Sequence, residues 1–331
     1  MAADVLDLSV VIPTHDRPRF LREAVESVLA QTRAVREILV VDNGTSDAPG
    51  QVLAPFGDRV RLIRSQPHQV QIARNTGFAT ATGRWIATLD DDDRLQPTYF
   101  EAALPLLDDP RCDVIAVDHR KFRDEPGGPV WEAKTNFEQA PQGYWDFLRP
   151  IDDGTEALFV GKFPLANLLR RIPAYPSSTI FRRDLALGVG GYDPRMRGIT
   201  AEDIEFLVRL LAAGNLGIVR APLLDYRVHS SNDSGTFTAQ KVGRWQVFEF
   251  VRRQHSDLPA DFVAALDTDL AKRRVDIFET AFRIGNAALL EQVAPLLRSQ
   301  DWTAKMRARR LVAKLPRAIA KPLRFGTVKR L

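Results

Sequence analysis

Residues 73–93 read ARNTGFATATGRWIATLDDDD. Their first half belongs to a helical pattern around Val70–Thr82 that Gly83 closes, as expected where a chain must turn sharply out of a helix. Trp85–Leu89 is a short apolar run, the length and composition of a strand buried on both faces. Asp90–Asp93 follow it at once. A helix, a buried strand and then carboxylates at the strand's C-terminal end form the unit with which open α/β sheets present ligand-binding groups.

The same unit recurs on either side. Leu8–Ile12 is a continuous apolar run ended by Pro13, and Asp16 is the expected N-cap of a helix whose stripe is Phe20/Leu21, Ala24/Val25 and Val28/Leu29. Ile38–Val41 reads as a strand carrying Asp42 at its end, followed by the turn Asn43-Gly44 and a strand at Val60–Ile63. Downstream come a helix from Pro97 to Leu107 and a strand at Val114–Val117. Alternation of this kind predicts an α/β fold with a doubly wound, mostly parallel sheet. Between Lys121 and Tyr175 the periodicity fades, and the segment, with Trp131, Tyr144, Trp145, Phe147 and Phe163, reads as irregular structure lining a site. Order resumes with a strand at Thr179–Phe181 and a helix over 202–213. Beyond Thr236 the chain reads as helical.

Composition sets the class. A 331-residue chain with 45% hydrophobic and 27% charged residues is an ordinary globular protein of about two domains. The single cysteine, Cys112, excludes an intramolecular disulfide framework and a thiolate-rich metal site, which fits a reducing compartment. No apolar run reaches the roughly 18 residues of a membrane span, and Asp4 and Asp7 stand where a signal peptide would be basic, so a cytoplasmic location is expected. The net charge of +4 hides an asymmetry. Residues 241–331 hold 19 Lys/Arg against 9 Asp/Glu, a net +10, which leaves −6 for the first 240. An anionic partner is therefore expected at the C-terminal end.

Nucleotide signatures built on glycine are missing, since no GxGxxG follows a strand and Gly161-Lys162 lacks the rest of a P-loop. Carboxylates take their place. Four adjacent aspartates repel one another, and a hard divalent cation would convert that repulsion into ligation. In an extended segment Asp90 and Asp92 would face one site and Asp91 another; a solvated acidic turn is the alternative. Glu202-Asp203 opens the 202–213 helix behind Gly190, Gly191 and Gly198. Either a carboxylate is aimed at a cleft there, or the pair simply complements the helix dipole.

Taken together, LSVVIPTHDR (8–17), EILVVDNGTSD (37–47), ARNTGFATATGRWIATLDDDD (73–93), PSSTIFRRDLALGVGGYDP (176–194) and AEDIEFLVRLLAAG (201–214) resemble glycosyltransferase family 2 in order and spacing. The resemblance covers about residues 8–235. It implies a GT-A fold, a nucleotide-sugar donor, a divalent metal (Mn2+ or Mg2+) and inverting transfer. It further implies that Pro13, Thr14 and Asp16 surround the donor base and ribose. Asp42 would accept the imide N–H of a pyrimidine, which favours UDP and then dTDP. Arg74 would approach base and diphosphate, with an exposed helix-face charge as its alternative. The DxD signature maps to Asp90-x-Asp92, with Asp90 near the ribose, Asp91 in the donor set, Asp92 on the metal and Asp93 nearby. Asp203 matches the catalytic base. His229 matches a histidine near the metal or diphosphate, an ordinary loop histidine being the alternative. His15 reads as a neighbour of the donor motif, while His68, His119 and His255 belong to no constellation.

The resemblance divides the chain into a catalytic domain at 1–235, with a donor half (1–120) and an acceptor half (121–235), and a basic helical extension at 236–331. The acceptor would be a glycan or a lipid-linked sugar, and the aromatics of 131–145 either stack on it or fill a core. Residues 301–331 carry ten basic residues against one acid, with Leu311, Leu315, Ile319 and Leu323 at helical spacing interrupted by Pro316 and Pro322. They read as a contact for an anionic membrane surface or as helices packing in a homodimer. Two other functions fit less well. A nucleotidyltransferase would want a glycine-rich loop after the first strand. Against a catalytically silent binding module stand the intact carboxylates Asp42, Asp90, Asp92 and Asp203, and a nucleic-acid binder would want aromatics interleaved with the basic tail, which has only Trp302 and Phe325.

Overall fold

The computed structural model describes residues 5–148, 156–229 and 236–315. They fall within two compact units, Met1–Gly198 with Glu202–Asp233, and Ile199–Ala201 with Ser234–Leu331.

The first unit is built on one sheet. Its strands are β1 (Leu6–Thr14), β2 (Val35–Asp42), β3 (Arg61–Arg64), β4 (Trp85–Thr88), β5 (Arg94–Leu95), β6 (Val114–Glu125), β7 (Gly128–Trp131), β8 (Ala157–Gly161), β9 (Thr179–Arg182) and β10 (Leu216–Arg227). The order is β3-β2-β1-β4-β9-β6-β10-β5, with β7 on β6 and β8 on β10. β1 to β4 pair in parallel, and β9 runs antiparallel between β4 and β6. The last seven residues of β1 are all buried, which is why they read as one apolar run. The helices are α1 (Pro18–Leu29), α2 (Ala48–Leu53), α3 (Val70–Thr80), α4 (Tyr99–Leu107), α5 (Asn167–Arg170), α6 (Arg183–Gly188) and α7 (Asp203–Ala213). α1 buries Leu21, Ala24, Val25 and Val28. α3 lies so close to β1 that a Cβ on Gly77 would stand 2.3 Å from Val11. Any larger residue there would push the helix carrying Arg74 off the sheet.

Several expectations are corrected. Asp16 does not cap α1; the N-cap is Arg17, and the Asp16 carboxylate instead accepts from Thr45 and Ser46. The acidic segment is a turn, not extended, because the Asp93 amide donates to the Asp90 carbonyl at 3.1 Å. Alternation therefore fails as a guide to where Asp91 points. The region expected to be irregular holds β7, β8 and the outer half of β6, which the fading periodicity concealed because these strands are exposed or half-buried. Tyr144 and Phe163 are buried among Trp145 and Phe147, whereas Trp131 is exposed.

The second unit is helical, with α8 (Phe237–Gln254), α9 (Ala260–Ile284), α10 (Ala287–Val293) and α11 (Ala304–Ala313). Thr236, Asn286 and Thr303 cap α8, α10 and α11 through their side chains. α9 stops at Gly285, whose φ of 76° suits glycine. Buried Glu249 accepts from Trp245 and from Nε and Nη2 of Arg274. Met306 and Ala313 of α11 are buried, and Lys305, Arg307 and Leu311 are exposed. Pro316, Ile319, Pro322 and Leu323 lie outside the described residues. Among the described residues, no helix is long and apolar enough to cross a membrane.

Candidate active site

The turn after β4 collects side chains from four parts of the chain. Thr14 Oγ1, at the end of β1, donates to Asp91 Oδ2 at 2.6 Å. Arg17 Nη1 stands 2.9 Å from Asp92 Oδ2 and 3.4 Å from Asp91 Oδ1. His229 Nε2 lies 3.0 Å from the same Asp92 oxygen, and its ring packs on Phe20 with centroids 4.9 Å apart. Beneath the turn, the Arg227 amide donates to Asp93 Oδ1 at 2.9 Å and its Nε to the Asp92 carbonyl at 2.8 Å. Ser177 Oγ meets the Asp90 amide at 2.9 Å. Asp91, Asp92 and Asp93 are all buried, so a solvated acidic turn is ruled out. Burial pushes the Asp91 carboxyl up to about 7, and burial with the Asp90 charge nearby raises that of Asp92.

Arg74 joins this turn to the start of α7. It is 4% exposed, so it is not a charge on a solvated helix face. Its Nη2 lies 2.7 Å from Asp90 Oδ1, its Nη1 lies 3.3 Å from Glu202 Oε1, and its guanidinium sits 4.9 Å from the centre of the Tyr192 ring. Glu202, the N-cap of α7, makes no side-chain capping bond, which removes simple capping as the reason for that carboxylate. Asp203 is the next residue and lines a small pocket with Thr88, Tyr175, Thr179, Tyr192 and Phe206. Burial and the neighbouring Glu202 hold the Asp203 carboxyl up at about 7. A carboxylate so placed is poised to take a proton near neutrality.

At the far end of the cluster, Asp42 closes β2 and is buried. Its Oδ1 accepts from the Gly44 amide at 2.7 Å, and Arg64 pairs with its Oδ2. Asp16, at φ 52°, is held by Thr45 and Ser46, whose hydroxyls and amides depress its carboxyl below the usual carboxylate range. Gly44 lets this loop approach Asp16 closely, since a Cβ would stand 2.6 Å from Asp16 Oδ1 and shift that carboxylate. Pro13 is buried within β1 opposite Val41. His15 and His68, from two different loops, both reach the Asn43 carbonyl.

Nine of the ten sequence-predicted residues lie on loops or near element ends, and Arg74 reaches the same turn from the middle of α3. Asp92 contacts His229, Asp91 contacts Thr14, and Arg74 contacts Asp90. Among the described residues no group of three or more His, Cys, Asp or Glu is set to hold a metal alone. Asp92 and His229 offer a carboxylate oxygen and an imidazole nitrogen side by side, a set that suits Mn2+ or Mg2+ once phosphate oxygens complete the shell. Sequence reasoning passed over Arg17, Arg227 and Ser177. Arg17 and Ser177 lie inside quoted motifs, but nothing in their spacing marks them; Arg227 precedes His229 by two and carried only its charge.

Residues 9–162 match the family described as glycosyl transferase family 2. The glycosyltransferase GlyA of Streptococcus pneumoniae is 26% identical over 123 residues, 36% of this chain and 18% of GlyA. EpsH of Bacillus subtilis is 28% identical over 234 residues, 68% of this chain and 62% of EpsH. The chain thus spans less than two thirds of the length of either curated relative. Among solved structures, TarS 1–349 of S. aureus in complex with UDP-GlcNAc superposes with a TM-score of 0.59 at 17% identity, covering 96% of this chain and 92% of that one. That likeness is one of fold, a GT-A type doubly wound sheet with helices following it. The motifs, the sheet order and the family match agree, and residues 9–162 carry a glycosyl transferase family 2 domain.

Proposed function

We propose that this protein transfers a sugar, with inversion, from a UDP-sugar (dTDP next) to an acceptor hydroxyl in glycan or polysaccharide assembly, with residues 1–235 as the catalytic domain and 236–331 as a helical extension. The observation that carries the reading is Arg74, whose two arms join Asp90 of the donor turn to Glu202 beside Asp203. That link supports reading Asp90 as a donor-side carboxylate and Asp203 as the base of one site. A TarS structure in complex with UDP-GlcNAc supports the choice of UDP among fold relatives.

In this reading Asp203 takes the proton of the acceptor hydroxyl, the oxygen bonds to the anomeric carbon, and the bond from that carbon to the diphosphate oxygen breaks, releasing UDP. One carboxylate suffices for a single displacement. Asp42 and the loops at Pro13–Asp16 hold the base and ribose, with Asp90 and Asp91 on the donor side. Asp92 and His229 would hold Mn2+ or Mg2+, which stabilises negative charge on the leaving diphosphate. The exposed basic face of α11 is read as a contact for an anionic surface bearing lipid-linked acceptors.

The test compares Asp203→Asn with Glu202→Gln in UDP release and in transfer to acceptor. The asparagine variant should keep its melting temperature and donor affinity and lose roughly 10²–10⁴ in turnover. Equal losses in both variants that follow melting temperature would place the base elsewhere.

A further inference from the structure

Arg227 is the bulkiest fully buried side chain among the described residues. A guanidinium in that position is costly unless its charge is paired and its N–H groups are used. Both conditions are met. Nη1 pairs with Asp124 of β6 and Nη2 with Glu23 of α1, and the guanidinium lies 4.9 and 4.7 Å from the centres of the Phe20 and Phe122 rings. These contacts tie the residue to two elements of the body of the sheet. What it then holds is the acidic turn, because its Nε donates to the Asp92 carbonyl at 2.8 Å and its backbone amide to Asp93 Oδ1 at 2.9 Å. His229 follows two residues later, and the Val228 amide between them is bonded to the Phe122 carbonyl at 2.8 Å. The His229 ring packs on the same Phe20 that the Arg227 guanidinium covers. One residue therefore sets both the backbone of Asp92 and the approach of His229 to it.

We propose that Arg227, locked by the Asp93 carboxylate, is the positioning residue of the metal site. It keeps Asp92 Oδ2 and His229 Nε2 side by side before a cation arrives. Asp93 is then an anchor and not a ligand, since it is 2% exposed and its Oδ1 is engaged by the Arg227 amide. The inference rests on the reading of Asp92 and His229 as metal ligands, and it gives the fourth aspartate of the run a role distinct from that of the third. Lysine cannot take the place of Arg227, because a single ammonium does not reach two carboxylates and a carbonyl from one rigid plane.

The test titrates Mn2+ alone into the full chain, followed by the EPR signal of free Mn2+, at a temperature where circular dichroism shows each variant folded. Groups that orient metal ligands are worth about 10–100-fold in metal affinity. Arg227→Lys and Asp93→Ala should each weaken Mn2+ binding by about tenfold or more. Asp93→Asn keeps an oxygen to accept from the Arg227 amide and should bind Mn2+ like wild type, which a lost ligand would not allow. A merely structural role would lower the melting temperature of Arg227→Lys and Asp93→Ala and leave the affinity of the folded protein unchanged, and that result overturns the proposal. Asp93→Asn that loses as much affinity as Asp93→Ala overturns it too, by making Asp93 act through its charge. Should Arg227→Lys fail to fold, the two Asp93 variants decide by themselves. A wild-type chain that binds no Mn2+ removes the metal reading and this inference with it, whereas wild-type binding that every variant retains removes only the inference.

Discussion

His229 Nε2 and Asp92 Oδ2 stand 3.0 Å apart, although 137 residues separate them in the chain. The contact joins the end of β10 to the turn after β4, so the metal site proposed here is made only when the sheet is complete. Asp92→Asn should keep the fold and abolish Mn2+-dependent UDP binding. His229→Ala should keep Asp92 in place and weaken Mn2+ by about tenfold, or 1.4 kcal/mol. Titration of each variant with Mn2+ decides, and unchanged affinity in both removes the pair from the site.

The raised carboxyl of Asp203 fixes a pH dependence. A base must be deprotonated, so transfer should rise with pH through about 7. Stability moves the other way. The folded state holds the Asp203 proton more tightly than the unfolded chain, whose carboxyl titrates near its ordinary value of about 4. That stabilisation is complete below about 4 and is lost as pH rises to about 7. The difference in melting temperature between wild type and Asp203→Asn, measured without metal from pH 4 to 8, should therefore grow in favour of the asparagine variant with rising pH. A constant difference would mean that Asp203 is not held up.

Asp42 should discriminate between bases. Uracil presents an imide N–H to a carboxylate where cytosine presents a bare nitrogen, so Asp42→Asn should weaken UDP by about tenfold and leave CDP nearly unchanged. Competition between the two nucleotides reads this directly. Arg64, which pairs with Asp42 Oδ2, should mirror the effect in part when changed to Gln.

The basic face of α11 gives a prediction for the second unit. Lys305→Glu with Arg307→Glu changes exposed side chains and leaves buried Met306 and Ala313 alone. Sedimentation with anionic vesicles at low salt should fall, while UDP release stays at the wild-type level. Vesicle binding that survives both changes would assign the surface to another segment.

What the sequence reveals here follows burial. β1, β2 and β4 are buried on both faces, so their apolar runs name them at sight, and the carboxylates at their ends inherit a position. The helix carrying Asp203 was legible from its stripe, and burial of Arg74 was not, because a lone arginine inside an amphipathic pattern looks the same whether it faces water or Asp90. β7 and β8 escaped because half-exposed strands lack a continuous apolar signal. Arg17 and Arg227 were invisible for another reason. Their partners lie 74 to 204 residues away, and no local pattern encodes a pairing of that range. Asp91 was misplaced because periodicity two holds for strands, and the segment is a turn.

The central claim is that the edge of this sheet is a metal-assisted nucleotide-sugar site. The most direct measurement is the melting temperature of the full chain with UDP-, dTDP-, GDP- and CMP-sugars, each with and without Mn2+. A donor at 100 times its dissociation constant adds about 2.7 kcal/mol, a shift of several degrees at least. The account predicts stabilisation by a UDP-sugar (or, next, a dTDP-sugar) that requires Mn2+ and disappears in Asp92→Asn. Stabilisation by GDP- or CMP-sugars alone, a shift indifferent to Mn2+ and to Asp92, or no shift with any donor would contradict it.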